Sequence, residues 1–437
     1  MLRRLLAVLV LSMPALAQYA GPAILSRDEA PAAMEAPQIS FRPYFDVNAI
    51  YDTGLAGIVT DAQGDLANGS AAGVSVDGGI SGSHNWKHTK LGLDYHGSVY
   101  HYFKQTYYDN TNHSLLLSVA HQFSRHATLT LSETAGTFSR DFGLLGLAQT
   151  VAFDPAQQYV PTTDYFDNRT IYFVSQADLV LQRSARLSFD LGGDFFLVRR
   201  RSTALAAVTG ATARADMEYR ITRRSTIGLN YRFDDFNYAH IYSGTDAHTA
   251  AFSYSTRLSR WLEFSGYGGA TRMESKFIQT VTVDPAITAL LGITSGVQLF
   301  YHINYIPTFS GRLARSFEHG VAYAEVKRAI TPGNGLFLTT NMTTAQAGYT
   351  YTGIRHWSFN MMAGYDNGQS IMNFVGRYGD YRGGFQVSRQ ITHSIHAVAG
   401  VTASKYDSVD FAHYNRLIYD ARAGFGFAPG DVPVRIW

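Results

Sequence analysis

The sequence predicts an all-β protein: a single transmembrane antiparallel up-and-down β-barrel of about 18 strands, with 16 as the alternative count. Three observations favour this fold class. Apolar residues alternate with polar ones along most of the chain, and short polar joints alternate with long Gly/Asp/Asn/Pro-rich stretches. Only 16% of the residues are charged, against about 25% in a soluble globular chain. The mean hydropathy is nevertheless -0.09, which argues against an ordinary helical membrane protein.

Residues 1–17 have the pattern of a signal peptide. Arg3 and Arg4 precede an apolar run over 5–11, and Ala15-Leu16-Ala17 has the small-x-small form that signal peptidase cuts. The alternative, a membrane anchor, needs about 18 or more apolar residues, and this run is shorter. We therefore expect cleavage after Ala17 and export of the mature chain.

The rest of the chain is predicted to contain one folded domain. Residues 18–39 are rich in Ala and Pro without any period, which predicts a flexible N-terminal segment. The barrel is expected over 40–427, because no linker or shift in composition divides this stretch. Residues 428–437 follow the last alternating strand and are expected to form a tail that carries the terminal Trp437.

Each predicted strand has one apolar face and one polar face. In the segment 187–197, Leu187 and Phe189 share one parity, while Ser188 and Asp190 share the other. The strands run over about 10 to 14 residues, close to the roughly 9 to 11 that a tilted transmembrane strand requires. A soluble β-sandwich, solenoid or propeller would also alternate, but its strands are shorter and its edge strands are solvated.

Short polar joints give the strand count. They recur at eight positions, near Trp86, Arg125, Ser184, Arg223, Arg260, Ser316, Arg355 and Gln390. Each interval between joints holds one strand, one long loop and one returning strand, so a first strand at 41–52 and a last at 415–427 give 18 strands. Pro307 interrupts one strand-like run, and we expect a bulge or an early end to pairing there because proline lacks a ladder donor.

These patterns resemble those of the bacterial outer-membrane β-barrel proteins, and among them the porin-like ones. Tyr and Phe lie mostly near strand ends, as in aromatic girdles, and the last strand is amphipathic. The resemblance implies the outer membrane of a diderm bacterium, insertion by the barrel assembly machinery, and periplasmic positions for 18–39 and 428–437. Either Phe427 closes the last strand and the tail follows it, or the tail itself pairs.

The inward-facing side chains are predicted to line a water-filled lumen, because a barrel of 16 to 18 strands is too wide for side chains to fill. Charged residues of both signs share this polar parity. The predicted pore-lining residues are Asp190, Asp194, Arg214, Asp216, Glu218, Arg220, Arg232, Asp234, Asp420 and Arg422. Two interpretations remain open, namely cross-strand charge pairs that brace a wet wall and a dedicated ion-selectivity site.

Two long loops are unusually apolar. The loops 139–165 and 275–294 each carry Asp-Pro-Ala beside an apolar stretch, at 142–153 and 287–293. Because exposed apolar loops are unfavourable in water, we expect at least one of them to fold into the lumen and narrow it. Packing against the outer rim or a partner chain is the alternative.

Signals for chemistry are weak. The sequence has no Gly-x-Ser-x-Gly elbow, His-Glu-x-x-His or phosphate loop. His84 and His88 fall in a predicted turn, and Asp61, Asp65 and Asn68 fit an ordinary turn as well as a Ca²⁺ loop. The absence of Cys excludes thiolate sites. We therefore predict no enzyme activity, no catalytic residue, no cofactor and no metal.

The leading hypothesis is a pore for the passive passage of small hydrophilic solutes. Outer-membrane lipid, the solutes and other copies in a homo-oligomer are the expected partners, and a formally neutral mature chain argues against nucleic acid. The alternatives are a conduit for export, for example of polysaccharide, that works with periplasmic partners, and an outer-membrane hydrolase.

Overall fold

The structure is a computed structural model. It describes residues 42–54, 69–104, 106–138, 169–201, 205–239, 241, 243–282, 292, 294–333, 335, 338–371, 376–408 and 416–427. The predicted signal peptide, the N-terminal segment 18–39 and the tail 428–437 lie outside the described residues. The same holds for Asp61, Asp65 and Asn68.

Eighteen antiparallel strands make up nearly all of the described chain. They are β1 (Arg42–Asp52), β2 (Ala71–Asn85), β3 (Thr89–Tyr102), β4 (Asn110–Ser124), β5 (Ala127–Phe138), β6 (Thr170–Gln182), β7 (Leu187–Arg200), β8 (Val208–Arg220), β9 (Ser225–Tyr238), β10 (Ser243–Arg257), β11 (Leu262–Thr282), β12 (Ser295–Phe317), β13 (Gly320–Thr331), β14 (Thr340–Tyr351), β15 (Trp357–Ser370), β16 (Arg377–Gln390), β17 (Ile395–Ser408) and β18 (Arg416–Phe427). No helix in this part of the chain is long and apolar enough to cross a bilayer.

The sheet closes on itself. Each strand pairs with its neighbours in sequence, and β1 pairs with β18 from Phe45 opposite Phe427 to Asp52 opposite Asp420. Closure leaves no edge along the wall, as a hydrocarbon environment requires. The predicted fold class and the count of 18 are confirmed. Strand β18 is described up to Phe427, and the two sequence interpretations of the tail after it both stay predictions.

Tight turns connect the strands at one end of the barrel, here called the turn end. They occupy 86–88, 125–126, 183–186, 221–224, 258–261, 318–319, 352–356 and 391–394, which confirms the eight predicted joints. The joints predicted near Ser316 and Gln390 lie slightly later in the chain, because those residues are still in β12 and β16. The opposite end, here called the loop end, carries the longer connections.

The outward face is apolar over most of its height. Phe195 and Phe425 point outward and are 47% and 61% exposed, whereas Asp194 points inward and is 9% exposed. This alternation is the one that the sequence predicts, and it gives the wall a lipid-facing surface. Near the loop end, charged side chains appear on the outward face, where Nζ of Lys276 lies 3.1 Å from Asp246.

Strands β11 and β12 are longer than the 10 to 14 residues predicted, with 21 and 23 residues. They pair with each other through every residue from Ser295 to Arg315, without a bulge at Pro307. Pairing between β12 and β13 begins only at Phe309 opposite Arg328. The expected early end to pairing near Pro307 is therefore confirmed on the β13 side, and the β11–β12 hairpin extends beyond its neighbours.

Candidate functional site

All ten residues predicted to line the lumen lie on the inward parity of their strands. On β7, β8 and β9 this parity is opposite to that of the exposed apolar residues Leu191, Met217 and Leu229. On β18, Asp420 and Arg422 alternate with outward-facing aromatic and alanine side chains. That these ten side chains line a conducting pore stays a prediction.

Arg214 is the centre of a charged network on the inner wall. Its guanidinium forms an ion pair with Asp178 on β6 and lies 3.8 Å from Asp190 and 3.7 Å from Asp216. The side chain is only 8% exposed, so truncation would leave neighbouring carboxylates without their shared cation. Asp178 is not among the ten predicted residues, since its role follows from the β6–β7–β8 register rather than from any local pattern.

Gly192 provides the space that this network needs. It lies between Asp178 and Arg214 in the register. A Cβ at this position would overlap the Asp178 carboxylate and would lie 2.5 Å from Nε of Arg214. Any side chain at 192 would therefore push the ion pair apart.

A second network lies beside the first. Nε of Arg232 is 2.7 Å from Asp234, and the hydroxyl of Thr212 donates to the same carboxylate at 3.0 Å. The first network contains cross-strand ion pairs of the kind that the sequence analysis expected, whereas Arg232 and Asp234 of the second network lie on the same strand, β9. Glu218 and Arg220 lie farther along β8, beside the turn at 221–224, and are therefore removed from Arg214.

Acidic side chains outnumber basic ones on the inward face of the described strands. The acidic ones are Asp46, Asp52, Asp77, Asp94, Asp178, Asp190, Asp194, Asp216, Glu218, Asp234, Glu263, Glu325, Asp366, Asp380 and Asp420. The basic ones among the described side chains are Lys90, Arg200, Arg214, Arg220, Arg232, Arg257, Arg312, Lys327, Arg382 and Arg422, and Arg42 and Arg416 occupy the same parity in the strand registers. The sequence pattern predicts mixed signs on this face, and the excess becomes evident once the strand registers assign each charge to a face.

Some of these acids are directly opposite one another. In the strand registers, Asp46 is opposite Asp77, Asp52 is opposite Asp420, Asp190 is opposite Asp216, and Asp366 is opposite Asp380. Like charges at directly opposed positions repel. Arg214 lies near the third pair, and Arg382 forms an ion pair with Asp366 of the fourth. These pairs could not be found without the register.

The connection between β13 and β14 folds inward. We call its described residues, 332, 333, 335, 338 and 339, the inward segment. The hydroxyl of Tyr238 on β9 donates to the Pro332 carbonyl at 3.1 Å, and the amide of Ala206 donates to the Gly335 carbonyl at 3.0 Å. Thr339 shares hydroxyl hydrogen bonds with Tyr238 at 2.8 Å and Thr245 at 2.7 Å. The segment is therefore held against the inner side of β9, β10 and the β7–β8 connection.

Under the inward segment lies an apolar patch on the inner wall. At the loop ends of β5 to β9 and in the adjoining connection, buried side chains form one cluster: Phe138, Tyr172, Val174, Phe196, Val198, Ala206, Val208, Phe236 and Tyr238. Leu338 of the inward segment packs against it, as does Phe277 of β11. The segment thus covers apolar surface that would otherwise face the lumen.

Two glycines permit the path of the inward segment. Gly333 and Gly335 have φ of 69° and 94°, a region that side-chain-bearing residues rarely adopt. A Cβ on Gly335 would also lie 2.9 Å from the guanidinium of Arg200, which donates to the Ala206 carbonyl at 2.6 Å. The local sequence, Pro-Gly-x-Gly followed by Leu-Phe-Leu, is another apolar loop. The same criterion that singled out the two longer loops could have found it.

The other sequence-predicted sites have mixed outcomes. The loop 139–165 lies outside the described residues, so its expected constriction stays a prediction. The loop predicted over 275–294 begins too early, because 275–282 continue β11, and most of the remainder is not described. His84 lies in β2 rather than in a turn. Among the described residues, no group of three or more acidic or histidine side chains is arranged to hold a metal.

No protein-family model and no curated protein matches the sequence. Solved structures of similar architecture include Pseudomonas aeruginosa OccK2 in complex with glucuronate, with a TM-score of 0.45 and 9% identity, covering 90% of this chain and 99% of that chain. A BenF-like porin from Pseudomonas fluorescens Pf-5 has a TM-score of 0.44 and 11% identity, covering 90% and 98%.

A third similar structure is larger. The apoprotein form of the FrpB iron transporter from Neisseria meningitidis has a TM-score of 0.44 and 11% identity, and the match covers 84% of this chain but 62% of that chain. The likeness to all three concerns the architecture of the barrel alone.

Proposed function

We propose that the protein is an outer-membrane channel through which small hydrophilic solutes diffuse. The observation that carries the proposal is a closed 18-stranded wall with a polar inner face and an apolar outer face. Eighteen strands enclose more space than the inward side chains of the wall can fill. The same wall provides a lipid-facing surface outside and hydrogen-bonding groups inside, which is what passive solute passage requires.

The inward segment gives the proposed channel a size limit. It lies against β9 and β10 near the loop end, so it takes up part of the cross-section there. A solute would pass beside it along the remaining polar wall. In this proposal the channel performs no chemistry, and it discriminates among solutes by size and charge.

Liposome swelling tests the proposal. Purified, refolded protein in vesicles should let small sugars enter, and the rate should fall as the sugars become larger. Vesicles without protein, and vesicles with heat-unfolded protein, are the controls. Absence of swelling with every sugar would overturn the proposal. Insertion by the barrel assembly machinery and assembly into a homo-oligomer remain predictions that this assay does not address.

A further inference from the structure

The turn end of the barrel is strongly basic. Its eight tight turns contain one acidic residue, Glu318, and eight Lys or Arg residues, namely Lys87, Arg125, Arg183, Arg186, Arg223, Arg224, Arg260 and Arg355. On the outward face near the loop end, by contrast, basic side chains pair with acidic ones, since Lys276 lies 3.1 Å from Asp246 and Arg272 lies 3.2 Å from Glu274. The net positive charge is therefore confined to one rim of the barrel.

Aromatic rings form a continuous patch on the outward face at this basic rim. We call the residues Phe317, Tyr349, Tyr351, Trp357, Phe359 and Phe385 the aromatic patch; they lie on β12, β14, β15 and β16. Successive rings of the patch are in contact, with centroids between 6.0 and 6.4 Å apart. On β13, Gly320 and Ala322 lie between the rings in the strand registers, and their small size lets Phe317 reach Tyr349.

Two arginines lie at the lateral borders of the aromatic patch. The guanidinium of Arg315 on β12 lies 4.9 Å from the ring centroid of Phe317, and that of Arg389 on β16 lies 5.3 Å from the ring centroid of Trp357. Both share the outward parity, because Arg389 is opposite Trp357 and Arg315 is opposite Ala322. The ion pairs within the described part of the chain involve other guanidiniums.

This combination of groups matches an anionic phospholipid better than a neutral one. Aromatic rings favour the headgroup layer of a bilayer, and a guanidinium presents planar N–H donors that fit the oxygens of a phosphate. In a zwitterionic headgroup the phosphate already has a cation beside it, whereas in an anionic headgroup it has none. An acidic soluble partner could also attract basic turns, but Arg315 and Arg389 lie on the lipid-facing side of the wall.

We propose that the aromatic patch, with Arg315 and Arg389 at its borders, binds anionic phospholipids of the leaflet at the turn end. Four inter-strand steps separate β12 from β16, which is about 19 Å across the wall, so each arginine would hold the phosphate of a different lipid. The rings between them would pack against the glycerol region and the upper acyl chains. The basic turns add a longer-range attraction to a negatively charged leaflet. The inference requires a barrel in a bilayer and does not depend on conductance.

Quenching of Trp fluorescence by brominated phospholipids tests the inference. The sequence contains four Trp residues, so the triple variant Trp86→Phe, Trp261→Phe, Trp437→Phe leaves Trp357 in the aromatic patch as the reporter. Vesicles that mix brominated phosphatidylglycerol with phosphatidylcholine, and the converse mixture, give the relative association constant of the two lipids at Trp357. At low salt we expect phosphatidylglycerol to be favoured by about fivefold. Addition of Arg315→Gln and Arg389→Gln should bring the ratio close to one.

A matched control removes an arginine from the same outer surface at the other end. Arg272→Gln, whose guanidinium has Glu274 beside it, should leave the ratio unchanged. Heat-modifiable migration on SDS gels would confirm that each variant is folded. Equal quenching by the two lipids would overturn the inference, and so would quenching by neither, because protein would then cover the patch. The wild type provides the same test without any substitution, since Trp86, Trp261 and Trp357 all lie at the turn end. Because no readout requires conductance, the proposed channel can fail while this inference holds, and the reverse.

Discussion

At the scale of single residues, one side chain does not fit its surroundings. Glu133 is a charged residue that points outward near the middle of its strand, since it is the seventh residue of the 12 in β5. Leu117 is opposite it on β4, and the hydroxyl of Ser175 on β6 donates to it at 2.7 Å. An acidic group on the lipid face lowers stability, although less than Arg or Lys does at the same depth.

Replacement of Glu133 by leucine should therefore stabilise the barrel. We expect the free energy of unfolding in urea, measured in phospholipid vesicles, to rise by about 1 kcal/mol. Ser175→Ala is the control, because it removes the hydrogen bond and keeps the charge. If Glu133→Leu instead destabilises the protein, Glu133 is not in contact with lipid, and the outward face of β5 is covered by another copy, as the predicted homo-oligomer would require.

At the scale of elements, the inward segment is the feature with the clearest functional consequence. Replacement of residues 333–338 by a two-residue turn should open the loop end and raise single-channel conductance. The replacement removes the Gly335 carbonyl that accepts from the Ala206 amide and the Leu338 side chain that packs on the apolar cluster, so it frees the cross-section that these residues occupy. Conductance in planar bilayers is the measurement.

A smaller change tests whether the hydrogen bonds that hold the inward segment against the wall affect conductance. The double variant Tyr238→Phe, Thr339→Val removes the hydroxyl hydrogen bonds and keeps the chain length. It should give conductance between the wild type and the shortened variant, with larger current fluctuations. An insertion in the turn 352–356 at the other end is the control. Unchanged conductance in the shortened variant would show that the segment does not narrow the pore.

The strands could be predicted from the sequence alone, whereas the residue pairs that face each other across the strands could not. Period-two alternation and eight polar joints specify 18 strands, because both are local properties of the chain. The length of β11 was missed, since residues 275–282 do not alternate strictly, with Phe277 and Ile278 adjacent, yet they pair with β12. The opposed aspartates were missed because each pair depends on a register set by two distant segments, as for Asp52 and Asp420.

At the scale of the whole molecule, closure of the barrel brings charged side chains from distant parts of the sequence together on one inner wall. Residues near the start and end of the chain, such as Asp52 and Asp420, become neighbours only when β1 pairs with β18. The wall then separates an apolar exterior from an acidic interior. The low charge content of the sequence follows from this arrangement, because roughly half of each strand faces lipid and the charges of the described strands lie mostly on the inner face and near the ends.

Salt screens the electrostatic potential of the charged inner wall over a defined distance. The Debye length is about 30 Å at 0.01 M salt, about 10 Å at 0.1 M and about 3 Å at 1 M. At low salt the acidic wall acts on ions throughout the lumen, whereas at high salt only ions close to the wall are affected. The K⁺/Cl⁻ permeability ratio should therefore fall toward one as the mean KCl concentration is raised at a constant gradient. The double variant Asp235→Asn, Asp246→Asn changes an opposed aspartate pair on the outward face near the loop end, and it should follow the same curve, because its charges lie outside the lumen. A ratio that stays constant with salt would contradict a wall field and would indicate selection at a single, closely fitted constriction instead.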